Sequence, residues 1–202
     1  MTPRSESAAA DRTEPIEARV ARLLSGRTLV MVGMMGAGKS SVGRRLANRL
    51  GLPFVDADAE IEKAANATIS EIFDRHGEAY FRDGERRVIQ RLLDGEAKVL
   101  ATGGGAFVHP ETRAAIQASA ISIWLKADRD VLMSRVRRRS NRPLLKTADP
   151  EAVMQRLIEE RYPLYAEATI HVQSREVAHE VVIDDILTAL ADYLEREAVA
   201  ES

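Results

Sequence analysis

A glycine-rich stretch between Gly33 and Ser41, GMMGAGKSS, has residue types and a spacing suited to phosphate chemistry. It fits G-x-x-x-x-G-K-[ST], a pattern whose backbone N–H groups wrap a phosphate chain. Lys39 can reach the outer phosphates, and the Ser40 hydroxyl can bind Mg²⁺. Because the apolar run TLVMV precedes the loop and a helical pattern follows it, the stretch predicts a nucleoside triphosphate site. We expect Lys39 to lie beside a solvent-facing loop, outside the core.

Two aspartates, Asp56 and Asp58, follow the next short apolar run with one residue between them. At the end of an extended strand, alternate residues point the same way, so both carboxylates can face one cleft. One can hold a magnesium-bound water, and the other can accept a proton from an acceptor hydroxyl. The alternative is that either aspartate caps a helix beginning near Ala59.

Three consecutive glycines, Gly103 to Gly105, end a third apolar run. Because each glycine is costly in backbone entropy, three in a row indicate a ligand lying directly against the backbone, although a flexible turn is the alternative. Two arginines, Arg82 and Arg161, lie in helical patterns and can be ordinary surface residues. Their planar guanidinium groups also suit bidentate recognition of a carboxylate. The sequence does not show whether they converge.

A basic run, RVRRRSNRPLLK, contains six cationic residues and no acidic residue: Arg135, Arg137, Arg138, Arg139, Arg142 and Lys146. One interpretation is a nucleic-acid patch. The net charge of −2 and the aromatic content of 4% argue against it, since base-stacking side chains are few. A mobile lid that closes arginine over a triphosphate is the better interpretation.

The elements that must position these residues are apolar strands alternating with helical patterns. The strands are apolar throughout, which is typical of a parallel sheet covered on both faces. Five strands predict a doubly wound α/β domain whose ligands bind at the carboxyl ends of the strands. We expect a short docking helix between Pro15 and Gly26, a polar disordered tail before it, and a helix from Pro150 that breaks near Pro163.

The composition excludes several classes of function. The chain has 202 residues, 45% of them apolar, which suits one globular domain. It has no cysteine, so disulfides, thiolate catalysis and cysteine-bound zinc are excluded. The first residues lack the apolar core of a signal peptide, and no stretch approaches the roughly 20 apolar residues of a membrane span. The histidines lack metal-ligand spacing and are expected to be structural: His76, His109, His171 and His179.

Six stretches, taken in order, resemble the shikimate kinase family of the nucleoside-monophosphate-kinase-like group, over about Thr28 to Leu194: GMMGAGKSSVGRRLA, FVDAD, GEAYFRDGE, VLATGGGA, NRPLL and ERYPLY. The resemblance implies a P-loop three-layer α/β fold, with a five-stranded parallel sheet flanked by helices and a mobile lid at about residues 138–149. It also implies a phosphotransferase of aromatic amino acid biosynthesis. That enzyme would phosphorylate the 3-hydroxyl of shikimate with ATP and Mg²⁺, giving shikimate 3-phosphate and ADP.

On the nucleotide side, the resemblance implies that one run of residues holds the ATP phosphates: Gly36, Ala37, Gly38, Lys39, Ser40 and Ser41. It implies that Ser40 binds magnesium and that Asp56 supports the metal through water. In the lid, Arg142 would reach the phosphates and, with Lys39, spread the developing charge. Arg135 would stack on adenine.

On the acceptor side, the resemblance implies that Asp58 hydrogen-bonds the ring hydroxyls of shikimate and acts as the base. Arg82 and Arg161 would grip the carboxylate. The backbone of Gly104, flanked by Gly103 and Gly105, would contact the substrate. The runner-up is another small-molecule kinase of the same fold, such as a gluconate kinase, and the other class is a nucleotide-binding switch without phosphotransfer.

We expect residues 27–197 to form the kinase domain, with residues 1–26 as an N-terminal tail that includes the short helix and residues 198–202 as a C-terminal tail. The expected partner is a small-molecule substrate, with neither nucleic acid nor membrane. We expect a cytoplasmic monomer.

Overall fold

Five parallel strands form the centre of the molecule. The computed structural model describes residues 14–138 and 148–200. Within them the strands are β1 (Thr28–Val32), β2 (Phe54–Asp56), β3 (Val99–Ala101), β4 (Ala120–Lys126) and β5 (Ile170–Gln173). Their order across the sheet is β2-β3-β1-β4-β5, and each neighbouring pair is parallel. Every residue of the central strand β1 is buried, as expected of a strand covered on both faces. The predicted sheet is confirmed.

Helices connect the strands and cover the sheet. In chain order they are α1 (Ile16–Leu24), α2 (Lys39–Leu50), α3 (Ala57–Ala65), α4 (Ile69–Leu93), α5 (Pro110–Ser119), α6 (Arg129–Arg137), α7 (Pro150–Tyr165) and α8 (His179–Ala200), with a short 3-10 turn at Ala106–Val108. In this part of the chain, no helix is both long and apolar enough to cross a membrane.

The sheet register brings three chain segments to one edge. Ala101 at the end of β3 lies opposite Asp56 of β2 on one side and Met31 of β1 on the other. The glycine-rich loop, the aspartate pair and the three glycines therefore leave the sheet side by side. This is the carboxyl edge, where ligands of open α/β sheets bind.

The two long helices near this edge differ from the sequence expectation. The sequence patterns TISEIFDRHG and EAYFRDGERRVIQRLL predict two separate helical segments, but the structure joins them in α4, which bends at Gly77, where φ is 81° and ψ is 173°. In α7 the predicted break near Pro163 is wrong, because the helix continues to Tyr165. A proline in the last turn removes one backbone hydrogen bond and leaves few residues after it to be disturbed.

The predicted docking helix is confirmed as α1. Its Val20 and Leu24 side chains are buried in the main hydrophobic core, where the helix packs on α8. Two ion pairs also connect this segment to α8. Arg19 in α1 pairs with Glu195 at 3.3 Å, and Arg27, just after α1, pairs with Glu197 at 2.7 Å. The helix therefore belongs to the folded unit rather than to a loose tail.

Candidate active site

The glycine-rich loop runs from β1 to the first turn of α2, so it ends at a helix N-terminus. Gly38 precedes the helix with a φ of 97°, a conformation that side chains other than glycine rarely adopt. Gly36 lies against α6, where an added Cβ would stand 2.9 Å from Val136 Cγ2 and 3.0 Å from the Leu132 carbonyl oxygen. The loop is thus held close to α6, with the first N–H groups of α2 available to an anion.

Lys39 is folded back onto its own loop. Its Nζ donates to the carbonyl oxygens of Gly33 at 2.8 Å and Met34 at 2.9 Å, and the residue is only 8% exposed. Lys39 is therefore buried rather than solvent-facing, although it is not part of the hydrophobic core. A buried ammonium needs hydrogen-bond acceptors, and the loop carbonyls supply them. The side chain therefore also shapes the loop.

Asp56 caps a helix, as the alternative interpretation expected, and it also contacts Ser40. One carboxylate oxygen accepts from Asp58 N at 3.1 Å and caps α3, while the other accepts from the Ser40 hydroxyl at 2.6 Å. Asp58 is not on an extended strand, because α3 begins at Ala57 and places it in the first helical turn. The alternation argument for Asp58 is wrong, although its side chain does line the cleft.

The Ser40 hydroxyl and the Asp56 carboxylate suit magnesium, which takes oxygen ligands. Within residues 14–138 and 148–200, no cluster of three or more His, Asp or Glu side chains is arranged around a metal. This fits magnesium, which keeps several waters and is completed by substrate phosphates rather than by an all-protein cage. The donor set is therefore compatible with Mg²⁺ at Ser40.

Each of the three consecutive glycines makes room for a different neighbour. A Cβ at Gly103 would stand 2.7 Å from Glu85 Oε1 and 2.9 Å from Asp58 Oδ1. At Gly105 it would stand 2.5 Å from the guanidinium carbon of Arg82. Gly104 packs on the phosphate loop, where its Cβ would lie 3.2 Å from the backbone nitrogen of Met35. The triplet therefore lies in close contact with the side chains of the site and with the phosphate loop.

Arg82 is held by two acids of its own helix. Its Nη1 donates to Glu85 Oε2 at 2.7 Å, and its Nε and Nη2 donate to Glu78 Oε1 at 3.2 and 3.0 Å. Burial alone would lower the pKa of Arg82, but the charges and hydrogen bonds of these two carboxylates outweigh it and raise the pKa. The guanidinium stays fully charged.

Glu85 is a buried acid of the site that the sequence reasoning missed. It is buried, and among the described residues its Oε1 has no hydrogen-bond partner. Burial raises the pKa of Glu85, the Arg82 charge opposes this, and the charge of Asp58 adds to it. The available signal was its position three residues after Arg82 in GEAYFRDGE, which places both side chains on one helix face.

Arg161 approaches the same glycines from α7. It is buried, and its Nη1 donates to the Gly104 carbonyl oxygen at 3.2 Å. Arg82 from α4 and Arg161 from α7 therefore meet at Gly103–Gly105, a convergence that the sequence did not show. Neither arginine is among the described residues that line the cavity, but both contact its glycine lining segment.

Arg135 joins the phosphate loop to the segment after β5. Its Nη1 donates to Ser174 Oγ at 2.8 Å and to the Gly36 and Ala37 carbonyl oxygens at 3.3 Å, and its Nη2 donates to the Arg175 carbonyl oxygen at 2.6 Å. Stacking on adenine stays a prediction. Arg142 and most of the predicted lid fall at positions 139–147, outside the described residues.

One cavity of about 510 Å³ connects the two halves of the site. Its lining includes the phosphate loop with Lys39, Ser40 and Ser41 on one side and Asp58, Gly103 and Gly104 on the other. A phosphate chain on the loop and a small acceptor beside Asp58 can therefore occupy the same space. The arrangement suits transfer of a phosphoryl group to a small molecule.

Three comparisons with known proteins agree with this geometry. A family model described as shikimate kinase matches residues 35–191. Shikimate kinase from Rhodopseudomonas palustris is 62% identical over 188 residues, which cover 93% of this chain and 92% of the relative. The Bradyrhizobium diazoefficiens enzyme of the same name is 58% identical over 185 residues, covering 92% and 89%. A solved structure, shikimate kinase from Acinetobacter baumannii in complex with shikimate, matches with a TM-score of 0.80 at 37% identity, covering 86% of this chain and 96% of that one.

Proposed function

The chain belongs to the shikimate kinase family, and on that premise we propose that it transfers the γ-phosphoryl group of ATP to the 3-hydroxyl of shikimate. The products are shikimate 3-phosphate and ADP. The observation that carries the proposal is the meeting of Arg82 and Arg161 at Gly103–Gly105, beside Asp58 and across one cavity from the phosphate loop.

The acceptor is recognised through charge. Shikimate is a carboxylic acid with ring hydroxyls, and two guanidinium groups offer forks that match a carboxylate. Asp58, on the cavity wall, orients the reacting hydroxyl and takes its proton. Binding the acid end through Arg82 and Arg161 leaves the hydroxyl facing the phosphate loop. Gly103, Gly104 and Gly105 let the backbone approach the ring.

The nucleotide is held by backbone and charge. The N–H groups at Gly36–Ser41 surround the phosphates, and Lys39 exchanges its loop carbonyls for phosphate oxygens. Magnesium, when bound at Ser40 with Asp56 supporting it, neutralises charge on the phosphates. Transfer of a phosphoryl group requires mainly positioning and charge stabilisation, and Lys39 and Arg142 are the side-chain cations that we assign to it, while Arg135 is assigned to stacking on adenine.

Four further expectations belong to the same proposal. We place the catalytic domain at residues 27–197 and extend the folded unit to α1, whose side chains contribute to the core. The lid at about residues 138–149 supplies Arg142. The protein is a monomer in this proposal. A cytoplasmic location fits a chain without cysteine.

The test is a coupled assay of ADP release with ATP and Mg²⁺ across three acceptors: shikimate, gluconate and a nucleoside monophosphate. We expect shikimate alone to raise the rate well above the acceptor-free background, and chelation of Mg²⁺ to abolish it. A rate that does not respond to shikimate would refute the proposal. A response to gluconate instead would favour the runner-up kinase.

A further inference from the structure

The Tyr165 hydroxyl occupies a buried position at the junction of the two half-sites. Tyr165 lies in the last turn of α7 and is fully buried. Its hydroxyl donates to the carbonyl oxygen of Gly104 and lies 3.8 Å from the sulfur of Met34. One side chain thus contacts the glycine triplet and the phosphate loop together.

Gly104 presents one carbonyl to two donors from the same helix. Arg161 and Tyr165 are one turn apart on α7, and both donate to that oxygen. Since trans peptide geometry points the next N–H away from the carbonyl, fixing the Gly104 oxygen also fixes the direction of the Gly105 N–H. The Gly103 and Gly105 carbonyl oxygens accept from the backbone nitrogens of Ala106 at 3.2 Å and Val108 at 3.1 Å, whereas the Gly104 carbonyl is held by side chains.

The Tyr165 hydroxyl is a hydrogen-bond donor at neutral pH. Burial raises the pKa of Tyr165 to about 12, with the nearby Arg161 charge opposing the shift. The phenol therefore stays protonated and keeps donating at neutral pH. An unsatisfied buried hydroxyl would be costly, so the bond to Gly104 is retained in the folded state.

We propose that Tyr165 is a positioning residue for the acceptor: its hydroxyl fixes the Gly104–Gly105 peptide plane and, through the shared carbonyl, the guanidinium of Arg161. This rests on the proposed function, because it is the shikimate carboxylate that Arg161 would meet. Tyr165 itself need not touch the substrate. Its loss should loosen acceptor binding and leave nucleotide binding nearly unchanged.

The chain supplies a matched control on the same helix. The hydroxyl of Tyr162 also donates to a backbone carbonyl, that of Ala127, and its ring packs edge-on against Trp124 with centroids 5.1 Å apart. Tyr162→Phe removes the same single atom, but the carbonyl that it frees lies after β4 and not in the glycine triplet. Comparison of Tyr165→Phe with Tyr162→Phe therefore separates a role in the acceptor site from a general loss of packing.

The experiment measures KM for shikimate, KM for ATP and kcat for the parent and both variants. For Tyr165→Phe we expect KM for shikimate to rise by about fivefold, the size expected from one neutral hydrogen bond, with KM for ATP within about twofold of the parent. Tyr162→Phe should keep both constants near the parent. A 4-aminophenylalanine at position 165, which retains a donor, should restore most of the shikimate affinity.

Equal shifts in both KM values, no shift in either, or the same shift in Tyr162→Phe would overturn the inference. If Tyr165→Phe does not fold, 4-fluorophenylalanine at position 165 fills the space of the hydroxyl without donating. Should that variant also fail to fold, the hydroxyl has a structural role and the inference is overturned. If the parent shows no shikimate-dependent ADP release, the proposed function is refuted instead. Failure of the Tyr165 inference and failure of the proposed function are therefore distinguishable.

Discussion

Arg161→Lys is the sharpest test of the acceptor site, because it keeps the positive charge and removes the planar fork. Arg161 is buried and reaches the Gly104 carbonyl oxygen through Nη1 at 3.2 Å. A lysine has one terminal nitrogen and cannot serve both a backbone carbonyl and a substrate carboxylate with parallel bonds. We expect the variant to fold and to bind shikimate poorly.

The size of the effect follows from the bonds that are lost. A hydrogen bond to a charged group contributes about 1.5–3 kcal/mol, and each 1.4 kcal/mol corresponds to about tenfold in affinity. Complete loss of the Arg161 contact would therefore raise KM for shikimate by roughly 10- to 150-fold. Since lysine retains the charge, we expect a value near the lower limit, about 10-fold. The change in kcat should be smaller, because the carboxylate does not react.

The assay is ADP release at varied shikimate with saturating ATP, alongside a thermal melt of each protein. Arg156→Lys is the matched control, since Arg156 lies on the same helix with a side chain 67% exposed and pairs only loosely with Glu160 at 3.7 Å. That variant should match the parent. A parent-like KM for shikimate in Arg161→Lys would refute the assignment of Arg161 to the carboxylate.

Three other substitutions test the remaining assignments. Asp58→Asn should lower kcat by roughly 10²-fold at saturating shikimate, because the amide cannot take the proton, and steady-state turnover equal to the parent would exclude Asp58 as the base. Lys39→Met should lower kcat by about 10²–10³-fold. It should also lower the free energy of unfolding by about 1–3 kcal/mol, because Lys39 is buried and donates to two loop carbonyls. A variant with the kcat and the unfolding free energy of the parent would contradict both roles of Lys39. Burial raises the pKa of Glu85 from its ordinary 4.5, so the stability that its carboxyl contributes is fully present below 4.5 and is lost as pH rises through the higher folded-state pKa. The free energy of unfolding of the parent minus that of Glu85→Gln should therefore decrease from acid to neutral pH in urea titrations, and a difference that increases would show that the pKa is lowered instead.

The sheet and the phosphate loop could be predicted from sequence because their signals are local. Apolar runs, glycines at fixed offsets and a following helical period all lie within about a dozen residues. The wrong prediction of a helix break at Pro163 also comes from a local rule. A proline predicts a helix break, but the rule does not say how many residues follow before the helix would end anyway. Here the helix continues only to Tyr165, and the cost is small.

The acceptor site could be predicted only in part, because its geometry depends on contacts between distant segments. Arg82 and Arg161 were named, yet nothing local shows that they meet at Gly103–Gly105. A ligand against the glycine backbone stays a prediction, and the sequence did not show that the side chains of Asp58, Glu85 and Arg82 lie close to Gly103 and Gly105. Asp56 shows a second limit. The sequence set helix capping against a role in the site, but a carboxylate has two oxygens, and here one caps α3 while the other accepts from Ser40.

Paired charges explain how a buried cationic site can exist before the substrate arrives. An unpaired guanidinium removed from water would be costly, so Arg82 is held by Glu85 and Glu78. These acids differ in exposure: the Glu85 side chain is 3% exposed and the Glu78 side chain 54% exposed. Breaking the bond to Glu85 would leave a charge stranded in the interior, whereas Glu78 can turn to water at little cost. An entering carboxylate should therefore replace Glu78, while Glu85 keeps the guanidinium in place throughout.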